Sequence, residues 1–543
     1  MSTRASTTAG RPRTVVTQRL RTRPSASRWP ATAWGAMATV ALFLAATLWW
    51  LSQNRGVPVY DAGTHLSFAI DAYEALRAGH VLSAFTDSLP YPPLVHVVGA
   101  LGAFVGGVNV TAPTIALDLV FVPLLALGCY QVGRLAFGPR AGVLAVLFAL
   151  GSPLIIEEFH EFMLDAPEAA LVALAVWAIL ASERFSRLRV CALAGVAVGL
   201  GMLTKETFVF FVAGAALAAA IRGGWRAWRG IALFAAVALA IALPWYVYEL
   251  STVHSLAAEA LGSSRAFHKP GIAPGTAPPR FSSANLAWYF WSFLNQQLYL
   301  PLLALVAIGL VWALVGLARR RPVGAYAFEL VLGAFVSWVA LTETYVHDPR
   351  YAIPITIYLA VFAVGWIARL PRVPQALTTT VLAAVVVVNW LGVGFGAAPA
   401  VASGPITDTY EQPGRLTLFA NHGMWVGAPI REGNVLAVLQ ALRRHGVREV
   451  RMYSIQENEI EFSPQGIAAL AQIAGLGVAG ESVDPAQAGR DVAFLIHRLP
   501  QLGLPTPCTT LQNGMGVWVS LGGQGSDGEA SYYCPLHDEV GDS

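Results

Sequence analysis

Charge is what this sequence has least of. Only 12% of its 543 residues are Asp, Glu, Lys or Arg, against about 25% in an average soluble chain. So few charges cannot keep the surfaces of several soluble domains wet. With 55% hydrophobic residues and a mean hydropathy of +0.56, the chain reads as an integral membrane protein. Lysine is almost missing: Lys205 and Lys269 are the two present, and every other basic residue is arginine. Four cysteines are too few for a disulfide-dense secreted scaffold. The abundance of large apolar residues excludes disorder, and a net charge of +3 excludes a nucleic-acid partner.

What the sequence does have is long apolar runs. A bilayer span needs about 20 predominantly apolar residues. The first 28 residues carry seven arginines and no acid, and an uncharged run follows at 31–51, ending in Trp49-Trp50. That run is longer than the apolar core of a cleaved signal peptide. It reads as a retained signal anchor with an interfacial aromatic pair, although the tail also has the composition of a mitochondrial transit peptide. Further segments lie at roughly 91–106, 114–133, 141–157, 168–182, 190–204, 207–221, 231–249, 298–318, 323–341, 351–370 and 375–396. Arginines collect in cytoplasmic loops. The clusters Arg134/Arg140, Arg184/Arg187/Arg189, Arg222/Arg226/Arg229, Arg319/Arg320/Arg321 and Arg369/Arg372 alternate consistently only if 91–106 does not cross. That segment is therefore expected to be interfacial or re-entrant, entered at Tyr91-Pro92-Pro93, which leaves about eleven spans.

The expected organisation is a cytoplasmic Arg-rich tail (1–30), a transmembrane domain (31–396) and an extracytoplasmic α/β domain (397–543). Residues 400–543 have ordinary soluble character. Glu432 to His445 and Ser463 to Ala474 read as helices, the second with Ser463-Pro464 as N-cap and first-turn proline. Val447 to Ser454, Val492 to His497 and Met515 to Leu521 read as strands. Cys129 and Cys191 fall in apolar spans and are expected as buried thiols. Cys508 and Cys534 lie in the external part, where an oxidising compartment permits them to pair. The cluster Asn421-His422-Gly423-Met424-Trp425 suits either stacking on sugars or ordinary packing.

Ionisable groups at membrane level are costly and tend to be functional. Four stretches at the expected outer mouths of spans carry them. The first is Val57 to His65, with Asp61. The second is Glu157 to Pro167, with Glu158, His160, Glu161 and Asp165. The third is Gly199 to Thr207, with Lys205 and Glu206, and the fourth is His347 to Pro354, with Arg350 and Tyr351. Singly, each has a bland alternative, such as an acid capping a helix N-terminus.

Together, and in this order, the stretches resemble the GT-C membrane glycosyltransferases, in particular the branch of protein O-mannosyltransferases and lipid A aminoarabinose transferases. The resemblance covers roughly 31–370. It rests on Asp61 just after the first span, Tyr-Pro-Pro-Leu at 91–94, Leu164-Asp165-Ala166, Thr204-Lys205, and Arg350-Tyr351 three residues before Pro354. It implies an α-helical polytopic GT-C fold and transfer of a sugar from a polyprenyl-phosphate donor to a glycan, lipid or protein acceptor. The setting implied is the external face of a bacterial inner membrane, with membrane lipids as the surrounding partner. In that frame Asp61 is the general base, with inversion, and Asp165 orients the acceptor or helps hold a cation. Arg350 and Lys205 receive the donor phosphate, while His65, Tyr91, Glu158, His160, Glu206 and Tyr351 line the pocket. Many relatives carry Asp-Glu in the first loop where this chain has Asp61-Ala62, so the second carboxylate is missing and a divalent cation is left open. Two other classes are expected to compete: a transporter or flippase of lipid-linked sugars, and a non-catalytic partner in surface-glycan assembly.

Overall fold

Inside a bilayer every backbone N–H and C=O must be bonded within its own segment, so an apolar run of this kind has little choice but to be helical. The structure, a computed structural model, describes residues 31–88, 90–251, 282–321, 323–343, 347–402, 416–424, 426–431, 435–444, 446–454, 464–482, 492–498, 509–510 and 515–521. The Arg-rich tail, Cys508, Cys534 and Trp425 lie outside these residues, and with them the expectations of a cysteine pair and of a tryptophan platform.

The helices are, in order, α1 (Ala31–Gln53), α2 (Asp61–Arg77), α3 (Ser83–Thr86), α4 (Leu94–Gly106), α5 (Thr111–Phe137), α6 (Pro139–Leu150), α7 (Pro153–Glu158), α8 (Asp165–Ala181), α9 (Leu188–Met202), α10 (Phe208–Gly223), α11 (Trp228–Tyr248), α12 (Ser283–Ser292), α13 (Tyr299–Ala318), α14 (Ala327–Glu343), α15 (Thr356–Gly365) and α16 (Arg372–Asn389). Each of the eleven expected spans contains a helix, with 141–157 broken at Gly151-Ser152 and 351–370 opening as a 3-10 turn. Among the described residues, six stretches are long and apolar enough to cross a bilayer by length and composition: Thr32–Gln53, Thr111–Phe137, Phe208–Tyr248, Tyr299–Ala318, Pro349–Arg369 and Arg372–Gly394. The third holds both α10 and α11, and α6, α9 and α14 are shorter apolar helices. The α4 helix has 13 residues. At a rise of 1.5 Å each it reaches about 20 Å, short of a hydrocarbon core about 30 Å thick. The α6 helix, with 12 residues, is no longer than this, so the expectation that α4 does not cross rests on the arginines alone. The turn between α5 and α6 shows how tightly the bundle is punctuated: Gly138, at φ 99, ends one helix and Pro139 opens the next.

Small residues let the helices approach closely, as membrane bundles require. On α10, a methyl group at Gly214 would lie 2.4 Å from the Leu332 carbonyl of α14. At Gly128 of α5 it would lie 2.6 Å from the Ala173 backbone of α8. The arginine-bearing end is tied by its own polar contacts. Arg184 and Arg222 converge on the fully buried Glu329 of α14, at 3.9 and 3.3 Å. Arg140 donates to Gln375 at 2.8 Å, and Arg369 lies over the Phe137 and Trp312 rings.

The C-terminal region sits at the opposite end. It contains a short antiparallel pair, β1 (Val401–Ala402) with β2 (Thr417–Phe419), then α17 (Val435–Arg444), β3 (Glu449–Ser454), α18 (Pro464–Ile473), β4 (Gly477–Ser482), β5 (Val492–Arg498), β6 (Thr509–Thr510) and β7 (Met515–Leu521). The main sheet has the order β4-β3-β5-β7-β6. β3 runs parallel to β4 and β5, and β7 runs antiparallel to β5 and β6. The expected α/β character is present, and β7 has the bounds that its alternation predicts. β4 is missed by sequence reasoning because Gly-Val-Ala-Gly-Glu-Ser is short and glycine-broken. The helix α2 is missed because its mixed composition is too polar to read as a span. Cys129 and Cys191 are free and buried, as expected.

Candidate active site at the mouth of the helix bundle

The site is assembled from four helix starts at one end of the bundle. Asp61 is the first residue of α2, a position where a carboxylate faces the positive end of the helix dipole. Asp165 opens α8. Lys205 sits in the turn between α9 and α10. Arg350 lies in a 3-10 turn, Pro349–Ile355, that leads into α15. Sequence separations of up to 289 residues are thereby closed to hydrogen-bond distance.

Asp348 organises the fourth element. Its carboxylate accepts the Arg350 backbone N–H at 2.9 Å, capping the turn, and then accepts the guanidinium through Nε at 3.1 Å and Nη2 at 2.8 Å. The same Nη2 reaches Asp61 Oδ2 at 3.1 Å. Arg350 is thus clamped between two carboxylates, with its Nη1 toward the Met163 sulfur at 3.8 Å. The Asp61 side chain keeps 38% of its surface exposed while that of Arg350 keeps 14%, so the acid faces the opening and the cation lies behind it.

A second pair lies deeper. Lys205 Nζ donates to Asp165 Oδ1 at 2.6 Å and sits 4.5 Å from the centre of the Tyr351 ring. Burial by itself would discharge the ammonium, but the carboxylates of Asp165 and Glu168 outweigh it and hold Lys205 above its ordinary range. Thr207 Oγ1 donates to Glu168 at 2.7 Å and completes this layer.

The pocket residues sort into two groups. His65 lies one turn after Asp61 and meets His96 of α4, Nδ1 to Nε2, at 3.2 Å, with the Tyr91 ring edge-on at 4.6 Å. Burial pulls His65 down to about 4 and pushes the Tyr91 phenol up to about 12. The facing ring nitrogens are at hydrogen-bond distance, so one donates and the other accepts. Glu158 is buried and Glu206 half-buried, and in each Oε2 has no hydrogen-bond partner among the described residues. Burial, with Asp165 adding to it, pushes Glu158 well up. Burial also raises Glu206.

His160 does not join them. Its ring stacks on Trp50 at 4.2 Å, and burial lowers it to about 3. Glu161 accepts the Val59 N–H at 3.4 Å, and burial pushes it up to about 8. Both line a separate cavity of about 470 Å³, walled also by Asn54, Ala62, His422 and Met424. Glu158, His160 and Glu161 therefore do not form a ligand set. Among the described residues no three His, Cys, Asp or Glu side chains are grouped so as to hold a metal ion. Sequence reasoning misses two members of the site. Asp348 stood in the quoted His-Asp-Pro-Arg stretch, and its spacing of two residues from Arg350 is the usual one for capping a short turn. His96 carries no sequence signal, because it looks like one polar residue in an apolar helix.

The apolar helix bundle with paired charges at one mouth is that of a multi-pass membrane protein with a fold of the GT-C type. Residues 91–248 match the family model described as dolichyl-phosphate-mannose-protein mannosyltransferase, in line with the resemblance read from the sequence. The fold is similar to ArnT from Cupriavidus metallidurans. The match to its apo form has a TM-score of 0.56 at 14% identity, covering 90% of this chain and 98% of that one. The match to its undecaprenyl phosphate-bound form has a TM-score of 0.55 at 16% identity, with the same coverage. No curated protein matches the chain by sequence.

Proposed function

We propose that this protein transfers a sugar from a polyprenyl-phosphate carrier to an acceptor hydroxyl at the mouth formed by Asp61, Asp165, Lys205 and Arg350. The observation that carries the reading is the Asp61–Arg350 contact of 3.1 Å, which sets an exposed carboxylate directly beside a guanidinium. Glycosyl transfer needs these two chemistries side by side. A base must take the proton of the attacking hydroxyl, and a fixed cation must meet the charge that grows on the leaving phosphate. Asp61 takes the proton and Arg350 meets the phosphate, exchanging part of its carboxylate clamp for phosphate oxygens. Attack from the side opposite the phosphate inverts the anomeric carbon. Lys205, paired with Asp165, seats the Tyr351 ring behind the site. The similar ArnT was solved bound to undecaprenyl phosphate, which supports a carrier of the same chemistry.

In this reading the cytoplasmic tail is 1–30, the transfer domain is 31–396, and the α/β domain 397–543 lies on the external side of a bacterial inner membrane. All the ionisable residues of the site gather at one end of the bundle, as one-sided chemistry requires. Alternating access would place them near mid-membrane.

The test is a transfer assay in native membranes with a panel of polyprenyl-phosphate sugars, comparing wild type with Asp61→Asn. The variant is expected to be expressed and folded and to lose transfer by at least about 100-fold, the lower range for a lost general base. Normal turnover in Asp61→Asn would remove Asp61 as the base.

A further inference from the structure

The backbone immediately before Asp61 is strained. Tyr60 adopts φ 37 and ψ −112, a region that side-chain-bearing residues rarely occupy. Such conformations persist only where the surroundings over-determine them, and they cluster at functional sites. From below, Val59 N–H is held by Glu161, and the N–H groups of Ala62 and Gly63 close onto the Val59 and Tyr60 carbonyls at 2.9 and 3.0 Å. From above, the segment is covered by α18 of the C-terminal region. At Gly466 of that helix a methyl group would fall 1.9 Å from the Pro58 carbonyl oxygen and 2.7 Å from the Val57 side chain. At Gly63 of α2 it would fall 2.4 Å from the Gly466 nitrogen. Three stretches of backbone therefore meet at a crossing that only two glycines permit.

The crossing is pinned on both sides. At the far end of α18, Gln472 donates to Asp71 of α2 at 2.5 Å. On the near side, Asn54 accepts the Ile430 N–H at 3.0 Å, and Trp50 Nε1 donates to the Gly427 carbonyl at 3.0 Å. Glu157 accepts the N–H groups of Met424 and Val426, each at 2.8 Å. The C-terminal region thus grips the stretch from the end of α1 to the start of α2, and Asp61 is the first helical residue that emerges from this grip.

We propose that α18 is a positioning element of the active site: its glycine crossing holds the strained Tyr60 turn and so aims Asp61 at Arg350. The proposal rests on the reading of Asp61 as the base, and it assigns the C-terminal region a part in catalysis that does not require it to touch either substrate.

Gly466→Ala in the full chain tests it. Alanine is a better helix former than glycine, so a loss in this variant cannot come from weakening α18 itself. Two readouts are taken in lipid nanodiscs. Amide hydrogen exchange is expected to speed up by about tenfold or more over residues 59–64 with little change in α5 and α8. In the transfer assay kcat is expected to fall by about 10- to 100-fold, the range for an ångström-scale misplacement, with donor KM and thermal midpoint nearly unchanged. Gln472→Ala, which removes only the outer pin, is expected to shift both readouts the same way by a smaller factor. Adding Tyr60→Gly, which relieves the backbone strain, is expected to restore part of the kcat lost in Gly466→Ala. Unchanged exchange over 59–64 in Gly466→Ala would overturn the proposal, as would parallel losses in kcat, donor affinity and thermal midpoint. If wild type itself shows no transfer while the exchange response is present, the α18 crossing stands and the transferase reading falls.

Discussion

Arg350 already has two anionic partners, Asp348 and Asp61, before any phosphate arrives. A fork-shaped guanidinium can keep one carboxylate on its Nε side while presenting the rest of the fork to phosphate, whereas a lysine offers a single point charge. Arg350→Lys is therefore expected to weaken polyprenyl-phosphate binding by about tenfold or more, roughly 1.4 kcal/mol, measured by competition with the bare lipid phosphate. Equal affinity would remove Arg350 from the phosphate site. His160 supports a second prediction. Its pKa of about 3, against an ordinary 6.5, means that between these values the unfolded chain binds a proton that the folded chain refuses. Stability from this group is complete above about pH 6.5 and is lost as the pH falls toward 3. His160→Phe keeps a ring on Trp50 and removes the titration. Its thermal midpoint is expected to gain on wild type progressively below pH 6.5, and a constant difference across that window would refute the assignment. At this scale the sequence was informative wherever a charge stood at the end of an apolar run. Asp61, Asp165, Lys205 and Arg350 were all legible in that way. His96 was not, because its partner His65 is brought up only by folding, whereas Asp348 carries a local signal in its two-residue spacing from Arg350.

At the scale of elements, the two ends of the bundle use charge differently. At the mouth, opposite charges meet around an opening. At the arginine end, Glu329 is sealed inside α14 with Arg184 and Arg222 closing over it. Replacing one member of such a buried group leaves polar atoms without their partners, at a typical cost of about 1–3 kcal/mol. Glu329→Gln is accordingly expected to lower the thermal midpoint while leaving donor KM unchanged, since it lies at the opposite end from Arg350. A midpoint equal to wild type would show that the cluster contributes nothing to stability. The spans were legible as elements because apolar length is decisive in a bilayer, but their limits were less so: 141–157 is broken at Gly151-Ser152, and 351–370 holds an α-helix only over Thr356–Gly365. α2 and β4 were not legible: one is a helix of mixed composition lying against the mouth, the other a glycine-broken strand completed by its neighbour β3.

At the scale of the whole molecule, the alternation of the arginine clusters and the position of the C-terminal region give one consistent topology. It predicts that Arg189→Cys, introduced into a background without the native cysteines, is labelled by an impermeant maleimide only after the membrane is opened. Arg448→Cys, in the C-terminal region, is expected to be labelled in intact spheroplasts. The reverse pattern would invert the orientation and place the site on the cytoplasmic face.

The sequence by itself determined that the chain is helical and membrane-embedded, and which few charges stand at helix ends. It could do so because desolvation makes each of these choices locally, residue by residue. Tertiary structure alone decided which charges pair: Asp61 with Arg350, Asp165 with Lys205, and His160 withdrawn to a different cavity. It alone also decided that a helix of the C-terminal region closes over the turn before Asp61. Pairing depends on distances between segments hundreds of residues apart, and no local pattern of side chains encodes such a distance.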